Sequence, residues 1–356
     1  MESNPSAVTV TDRLADALAD RSRTVPSGQL FVLTDSVTRD LCLPALRQAD
    51  GFADAPVFTM DNGDDAKNLD TVVRLWKWLE ERGGTRKSML VNLGGGVVTD
   101  LGGFAANTFK RGIRYVNVPT TLLSMVDAAV GGKTGINFNG LKNEIGVIRP
   151  AEAVIINAGF LATLDRDNLL SGFAEMLKHG LLDTPGHLGR LLAFDFARPD
   201  YGALSELITL SLAVKQRIVE QDPNEKGIRK ALNLGHTIGH ALESFSHTAK
   251  RPILHGFAVA YGLIAELFLA HRQCGFPQDT LVRVTRFIHD NYGAFAITCD
   301  DYPTLYELMR HDKKNAAVGQ VNFTLLADTG DIRTDHTATR EEIFQALDFY
   351  RDSVGL

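Results

Sequence analysis

Through the first half of the chain, short apolar runs alternate with stretches of helical period. Gln29–Thr34, Ala55–Met60, Ser88–Leu93 and Tyr115–Val118 are compact apolar runs, the first stopped by Asp35 and the last by Pro119. Such runs read as buried strands. Between them, Asn68–Arg82 places Val72, Leu75, Trp76 and Leu79 on one side of a helix. The third run enters Gly94-Gly95-Gly96, and a helix is predicted from Thr99 to Phe109. This alternation predicts a Rossmann-like α/β domain with a mostly parallel sheet. From about Leu161 the period changes. Asp165–Leu182, Ala203–Gln221, Lys230–Ser246 and Phe257–Arg272 read as long helices, and Val321–Leu326 as one arm of a short hairpin. The predicted organisation is an α/β domain over residues 1–160 and a mainly α-helical domain over 161–356, with the boundary near Gly159.

Composition narrows the classes of function. At 356 residues with 44% apolar and 22% charged residues, the chain suits a two-domain globular protein. A net charge of −6 argues against general nucleic-acid or membrane-surface binding. Cys42, Cys274 and Cys299 show no paired spacing, so a reducing cytoplasm is the expected compartment. The polar, acidic start lacks the pattern of a signal peptide. The longest apolar stretch, Phe257–Ala270, is interrupted by Gly262 and Glu266 and reads as a buried core helix.

Candidate chemistry concentrates in a few motifs. Asn233-Leu-Gly-His-Thr-Ile-Gly-His240 sets His236 and His240 four apart, on one face of a helix. Glu175 lies upstream and His255 downstream. A carboxylate with two or three imidazoles suits a divalent metal, and a three-ligand site leaves room for substrate. Gly94-Gly95-Gly96, at a strand-to-helix turn, lets backbone approach a diphosphate, though the spacing is not G-x-G-x-x-G. Asp35 and Asp64, near the ends of earlier strands, suit ribose hydroxyls and equally suit turns in solvent. Gly131-Gly-Lys133 offers a cation for phosphate but lacks the P-loop spacing. Lys178, Lys215, Arg229 and Asp312-Lys313-Lys314-Asn315 add charges that together suggest a small polyanionic substrate.

In one order along the chain, these motifs resemble the 3-dehydroquinate synthase family of sugar phosphate cyclases. The resemblance rests on Gly94–Asp100, Phe109-Lys-Arg-Gly112, Pro119–Asp127, Gly131–Asn137, Phe160-Leu-Ala-Thr163, Glu175-Met-Leu-Lys178, Asn233–His240 and His255-Gly256. It implies a two-domain enzyme using NAD and zinc or cobalt. It implies Glu175, His236 and His255 as metal ligands, which moves His240 from the ligand pair to the substrate side. It implies Asp35, Asp64, Lys67, Gly95, Gly96, Val97, Asp100, Thr120, Thr121, Asp127, Lys133, Lys142, Phe160 and Thr163 around NAD. Around the substrate it implies Asp127, Lys133, Asn143, Lys178, Lys215, Arg229, Asn233, His240 and Lys313, with Arg111 reaching across a two-fold homodimer. The implied reaction converts 3-deoxy-D-arabino-heptulosonate 7-phosphate to 3-dehydroquinate and phosphate, the second step of the shikimate pathway. Its stages are transient oxidation by NAD, phosphate elimination, re-reduction and internal aldol closure. The chain departs from the family pattern at Asp64, where glutamate is usual, and at Thr99, Gly103, Ser124 and Met125.

Three other readings compete. A cyclase for a sugar phosphate without a carboxylate has less use for Lys178, Asn233 and the Lys215–Arg229 pair. A metal-dependent alcohol or glycerol dehydrogenase would release NADH and would not need so many anion-binding residues. A non-catalytic NAD sensor would have no need of three metal ligands.

Overall fold

The computed structural model describes residues 6–139, 141–222, 225–310 and 321–355, so Lys313 and its motif lie outside the described residues. The chain forms two compact units. One runs up to Asp165 and includes Tyr201–Glu206; the other holds Arg166–Asp200 and everything from Leu207 onward.

The first unit is built on a six-stranded sheet. Its strands are β1 (Ala7–Val10), β2 (Leu30–Asp35), β3 (Val57–Met60), β4 (Met89–Gly94), β5 (Arg114–Pro119) and β8 (Ala153–Ile156). Their order is β1-β8-β5-β4-β2-β3, with every pairing parallel. The central strands β2 and β4 are buried along their whole length, as a sheet covered on both faces requires. Chain order reverses between β2 and β4, so the crevice beyond their carboxyl ends, at Asp35 and Gly94, is where an open α/β sheet receives ligands. The helix Gly96–Thr108 packs tightly over the sheet. A Cβ on Gly102 would lie 2.1 Å from Asn92 Oδ1, and one on Gly103 would lie 2.4 Å from Thr134 Cγ2. The departure at Gly103 therefore has a steric reason in this chain.

Between β5 and β8 the chain makes an antiparallel hairpin, β6 (Lys133–Phe138) and β7 (Leu141–Ile148). The glycine-flanked Lys133 is the first residue of β6. Gly135 pairs with Gly146, and a Cβ on Gly146 would meet Thr134 O at 2.4 Å, so the two arms need glycine to close.

At the start of β5, Arg114 grips Glu152 with two bonds, Nε to Oε2 at 2.5 Å and Nη2 to Oε1 at 2.8 Å. The hydrogen bond from Arg114 holds the Glu152 carboxyl below its ordinary range, against a smaller opposing effect of burial. A lowered folded-state pKa stabilises above the unfolded value and ceases to do so as pH falls through the folded one. For this partly exposed pair, Glu152→Gln should cost about 0.5–1 kcal/mol near neutral pH. The difference from wild type should close below the ordinary glutamate range, which urea melts at neutral and acid pH would check.

The second unit is mainly helical. Its helices include Arg166–Leu181, Pro185–Leu192, His236–Thr248, His255–Cys274, Gln278–Tyr292, Tyr302–Arg310 and Arg340–Ser353. The expected hairpin is present as β9 (Val321–Asp328) and β10 (Asp331–Ala338). Arg166–Leu181 is buried at every residue from Leu169 to Leu181, which makes its charged residues conspicuous.

The expected unbroken helix over Lys230–Ser246 is a correction. A short 3-10 turn, Ile228–Asn233, stops before Leu234, and a new helix begins at His236. Gly235 is left-handed at φ 78°, a conformation glycine adopts without penalty. Buried Glu266 supports this break. Its Oε2 accepts from Gly235 N at 2.6 Å and its Oε1 from Ile238 N at 2.9 Å. A carboxylate from a neighbouring helix thus caps the amide groups that the new helix leaves open.

Candidate active site

In the first unit, Gly95 is the N-cap of Gly96–Thr108 and no side chain caps that helix. The open amide groups face the crevice end of β4, where Val97 stands in the first turn. The approach is kept narrow on the protein side: a Cβ on Gly94 would lie 2.5 Å from Val98 Cγ2, and one on Gly95 3.0 Å from Thr121 Cγ2. Thr120 is buried, its Oγ1 has no hydrogen-bond partner among the described residues, and its amide binds Gly94 O at 3.0 Å. A glycine cradle, an uncapped helix start and an orphaned hydroxyl suit a phosphate-bearing nucleotide.

Asp35 ends β2 and is buried; its Oδ1 caps the following helix through Val37 N and Thr38 N. Asp64 accepts from Asn137 Nδ2 at 3.1 Å. Lys67 is buried, and its Nζ contacts Asp100 Oδ2 at 2.6 Å and Asn143 Oδ1. Asn143 N in turn binds Asn137 Oδ1 at 3.0 Å. Asp64, Lys67, Asp100 and Asn143, far apart in the sequence, are joined through the Lys67 ammonium and through Asn137, a residue given no role from the sequence. Thr121 Oγ1 braces the turn that leads to Asp127 by bonding Ser124. Lys133, Lys142 and Arg111 are exposed, and Arg111 has a positive φ of 68°. Phe160 and Thr163 line a cavity of about 440 Å³ with Asp12, Leu14, Leu41 and Asn157.

In the second unit, three helices deliver Glu175, His236 and His255, whose ligand atoms lie within 4.8 Å of one another. Glu175 Oε1 is 3.3 Å from His236 Nε2 and 3.4 Å from His255 Nε2. His236 Nδ1 is 3.0 Å from Leu234 O, and His255 Nδ1 is 3.0 Å from Glu243 Oε2. A carbonyl and a carboxylate only accept, so Nδ1 of each ring is the donor and its Nε2 points toward Glu175. Two imidazole nitrogens and a buried carboxylate oxygen, which has no hydrogen-bond partner among the described residues, therefore converge. That donor set suits a divalent cation and leaves a position open.

His240 does not join that set among the described residues; its ring centre lies 5.3 Å from that of His236 and 5.8 Å from that of His255. The pairing of His236 with His240 suggested by spacing alone is thus corrected. One helical turn puts both rings on the same face, but the convergent nitrogen comes from another helix.

The electrostatics follow from burial. Lys178 is buried beside Glu175, and its Nζ bonds Glu175 Oε2. Burial by itself would raise the Glu175 pKa, but Lys178 and then His236 hold it well below the usual range. Burial opposes charge on His255, yet Glu175 and Glu243 outweigh it and raise its pKa to about 9. Lys215 and Arg229 are also buried cations. Asp222 Oδ2 fixes the backbone of Gly227 and Arg229 at 2.7 and 3.1 Å. Asn233 lines a cavity of about 390 Å³ with Glu225, Lys230, Thr237 and Asp335.

Sequence reasoning assigned no role to Glu243 or Glu266. Glu243 follows His236 by seven residues and His240 by three, a same-face spacing that could have revealed it. Glu266 is the one charge in the apolar run Phe257–Ala270, which is a signal for a buried carboxylate with a structural partner.

A parallel sheet with a crevice suited to a phosphate-bearing nucleotide and a helical unit with a Glu/His/His cluster suited to a divalent cation define a class of α/β-plus-helical proteins. Comparison makes this specific: the chain belongs to the 3-dehydroquinate synthase family, matching its N-terminal part over residues 57–171 and its C-terminal part over 172–315. It is 51% identical over 349 residues to the 3-dehydroquinate synthase of Parabacteroides distasonis, covering 98% of this chain and 99% of that one. Among solved structures, it matches the 2-epi-5-epi-valiolone synthase ValA of Streptomyces hygroscopicus with NAD+ and Zn2+ bound. That match has a TM-score of 0.83 and 27% identity, and covers 99% of this chain and 98% of that one. A 2-deoxy-scyllo-inosose synthase complexed with carbaglucose-6-phosphate, NAD+ and Co2+ shares the fold at a TM-score of 0.80 and 21% identity, covering 97% and 99%. The fold is therefore that of the dehydroquinate synthase-like cyclases. No helix among the described residues is long and apolar enough to cross a membrane.

Proposed function

We propose that this chain is an NAD- and metal-dependent carbon–oxygen lyase that converts 3-deoxy-D-arabino-heptulosonate 7-phosphate to 3-dehydroquinate and phosphate. The full-length likeness to a 3-dehydroquinate synthase carries this reading. We assign residues 1–160 to NAD and residues 161–356 to metal and substrate. Bound at Glu175, His236 and His255, zinc or cobalt would act as a Lewis acid toward a substrate hydroxyl, and NAD would take and return the hydride.

The chain's own residues bind and orient. Gly95, Gly96, Val97 and the open helix start hold the NAD diphosphate, with Thr120 and Thr121 beside it. Asp35, Asp64, Lys67 and Asp100 serve the ribose end, and Lys142, Phe160 and Thr163 complete the nucleotide contacts. Lys178, Lys215, Arg229, Asn233 and His240 surround the sugar acid, together with Lys313. Lys178, Lys215 and Arg229 are buried, and their positive charge suits a carboxylate- or phosphate-bearing ligand. Asp127, Lys133 and Asn143 position the phosphate-bearing end. Since the departing phosphate can accept the neighbouring C–H proton, these residues need only hold it in reach. Arg111, exposed on a left-handed backbone, completes the phosphate contacts across a homodimer. The three free cysteines suit a cytoplasmic home.

A cyclase for a different sugar phosphate is the second reading, favoured by the structural likeness to the valiolone synthase. The buried Lys178, Lys215 and Arg229 weigh toward a carboxylated substrate. Purified protein given 3-deoxy-D-arabino-heptulosonate 7-phosphate, NAD and zinc should release phosphate with no net NADH at 340 nm. A chelator should stop the release. Failure with zinc, cobalt and manganese alike would overturn the assignment and direct the search to other sugar phosphates. Sustained NADH with a simple polyol would indicate a dehydrogenase.

A further inference from the structure

We infer that Glu243 is a positioning residue for the metal centre, setting the ring state and orientation of His255. The inference rests on the Glu175–His236–His255 reading and goes beyond it. The helix His236–Thr248 carries His236, His240 and Glu243 at one-turn and two-turn intervals. Glu243 thus faces the start of His255–Cys274, where His255 is the first residue. Its Oε2 stands 3.0 Å from His255 Nδ1, and the side chain is 14% exposed.

The two imidazoles are held differently. His236 donates to a neutral backbone carbonyl, Leu234 O, whereas His255 donates to a carboxylate. A carboxylate partner makes the opposite ring nitrogen the stronger electron donor and fixes the tautomer that presents it. His255 needs this more than His236. Its side chain is 30% exposed against 10% for His236, and it occupies the first turn of a helix that no side chain caps. Without Glu243 the ring would be free to rotate about χ2 or to carry its proton on Nε2, and either change removes a ligand.

The test is metal affinity of the full-length protein, measured with zinc by competition against a chromogenic chelator and with cobalt by its visible absorption. Glu243→Ala should weaken zinc about 10–100-fold and alter the cobalt band, while the metal-free protein melts near the wild-type temperature. Glu243→Gln, whose amide oxygen still accepts from Nδ1, should recover most of the affinity. Wild-type affinity and an unchanged cobalt spectrum in Glu243→Ala would overturn the inference and leave the metal centre standing. If the wild-type protein binds neither ion, the metal reading itself falls. A fall in the metal-free melting temperature equal to that of the metal-loaded protein would also overturn it, because Glu243 would then be serving the fold.

Discussion

Replacing His255 with alanine should abolish phosphate release and strip the protein of metal, whereas replacing His240 should lower turnover with metal retained. The ring centres of His240 and His255 lie 5.3 and 5.5 Å from that of His236, so proximity does not separate them. What separates them is convergence. His255 Nε2 shares Glu175 Oε1 with His236 Nε2, and its Nδ1 is tied off by Glu243. Loss of one of three ligands removes a Lewis acid worth several kcal/mol in the transition state, a rate loss on the order of a thousandfold or more. Loss of His240 removes a polar contact or proton carrier beside the substrate, worth about a hundredfold. Metal content after gel filtration, measured beside phosphate release, distinguishes the two. Equal metal loss in both variants would show that the ligand set has been misassigned.

Much of the nucleotide-type unit was legible because its signals are local. A buried run ending in three glycines gives both β4 and the start of the helix that follows. The structure begins that helix at Gly96 and not at Thr99: Gly94 closes β4, Gly95 is the N-cap, and Gly96 opens the first turn. The runs around Val32, Phe58, Val91 and Val116 all became parallel strands. β8 and β1 were missed for different reasons. β8 is four residues between Pro150 and the Asn157 turn, too short to show a period. β1 alternates half-buried and exposed positions at a sheet edge, inside a stretch whose overall polarity masked it.

The metal cluster was legible only in part. Glu175 and Lys178 share a face by helical spacing, and His236 is marked by its glycines. His255 is a further 15 positions beyond His240, on another helix, and no local period points from one to the other. The family resemblance supplied His255, and the structure brings its Nε2 beside Glu175 Oε1 and His236 Nε2. Glycine spacing in the second unit was read as turn or motif punctuation, yet it also encodes helix contact. A Cβ on Gly239 would meet Ala258 O at 2.9 Å, and one on Gly262 would meet Gly235 O at 2.1 Å. These glycines bring His236–Thr248 and His255–Cys274 to backbone contact, which is how two separate histidines reach one point.

Gly256→Ala should therefore damage both stability and metal binding, although the residue touches no metal ligand atom. A Cβ at Gly256 would lie 1.9 Å from Ser171 O and 2.5 Å from Ser171 C, both backbone atoms of the helix that carries Glu175. Gly256 N also accepts no alternative placement easily, since it donates to Ser171 Oγ at 3.1 Å. The only relief is to move His255–Cys274 away from Arg166–Leu181, and that carries His255 from Glu175. Overpacking of a tight core costs about 1–3 kcal/mol and more where backbone must move, so a melting-temperature fall of roughly 5 °C or greater is expected. Zinc affinity should fall at least tenfold, in the range seen when a ligand's support is removed. Gly189→Ala is the matched control. Gly189 lies within the helix Pro185–Leu192 with nothing within 4 Å of its would-be Cβ, so alanine there should raise stability by up to about 1 kcal/mol and leave zinc affinity unchanged. A Gly256→Ala protein that melts early but binds zinc as tightly as wild type would mean the cluster tolerates a shift between its helices. The three ligands would then be held by their own hydrogen bonds, and not by the spacing of the helices beneath them.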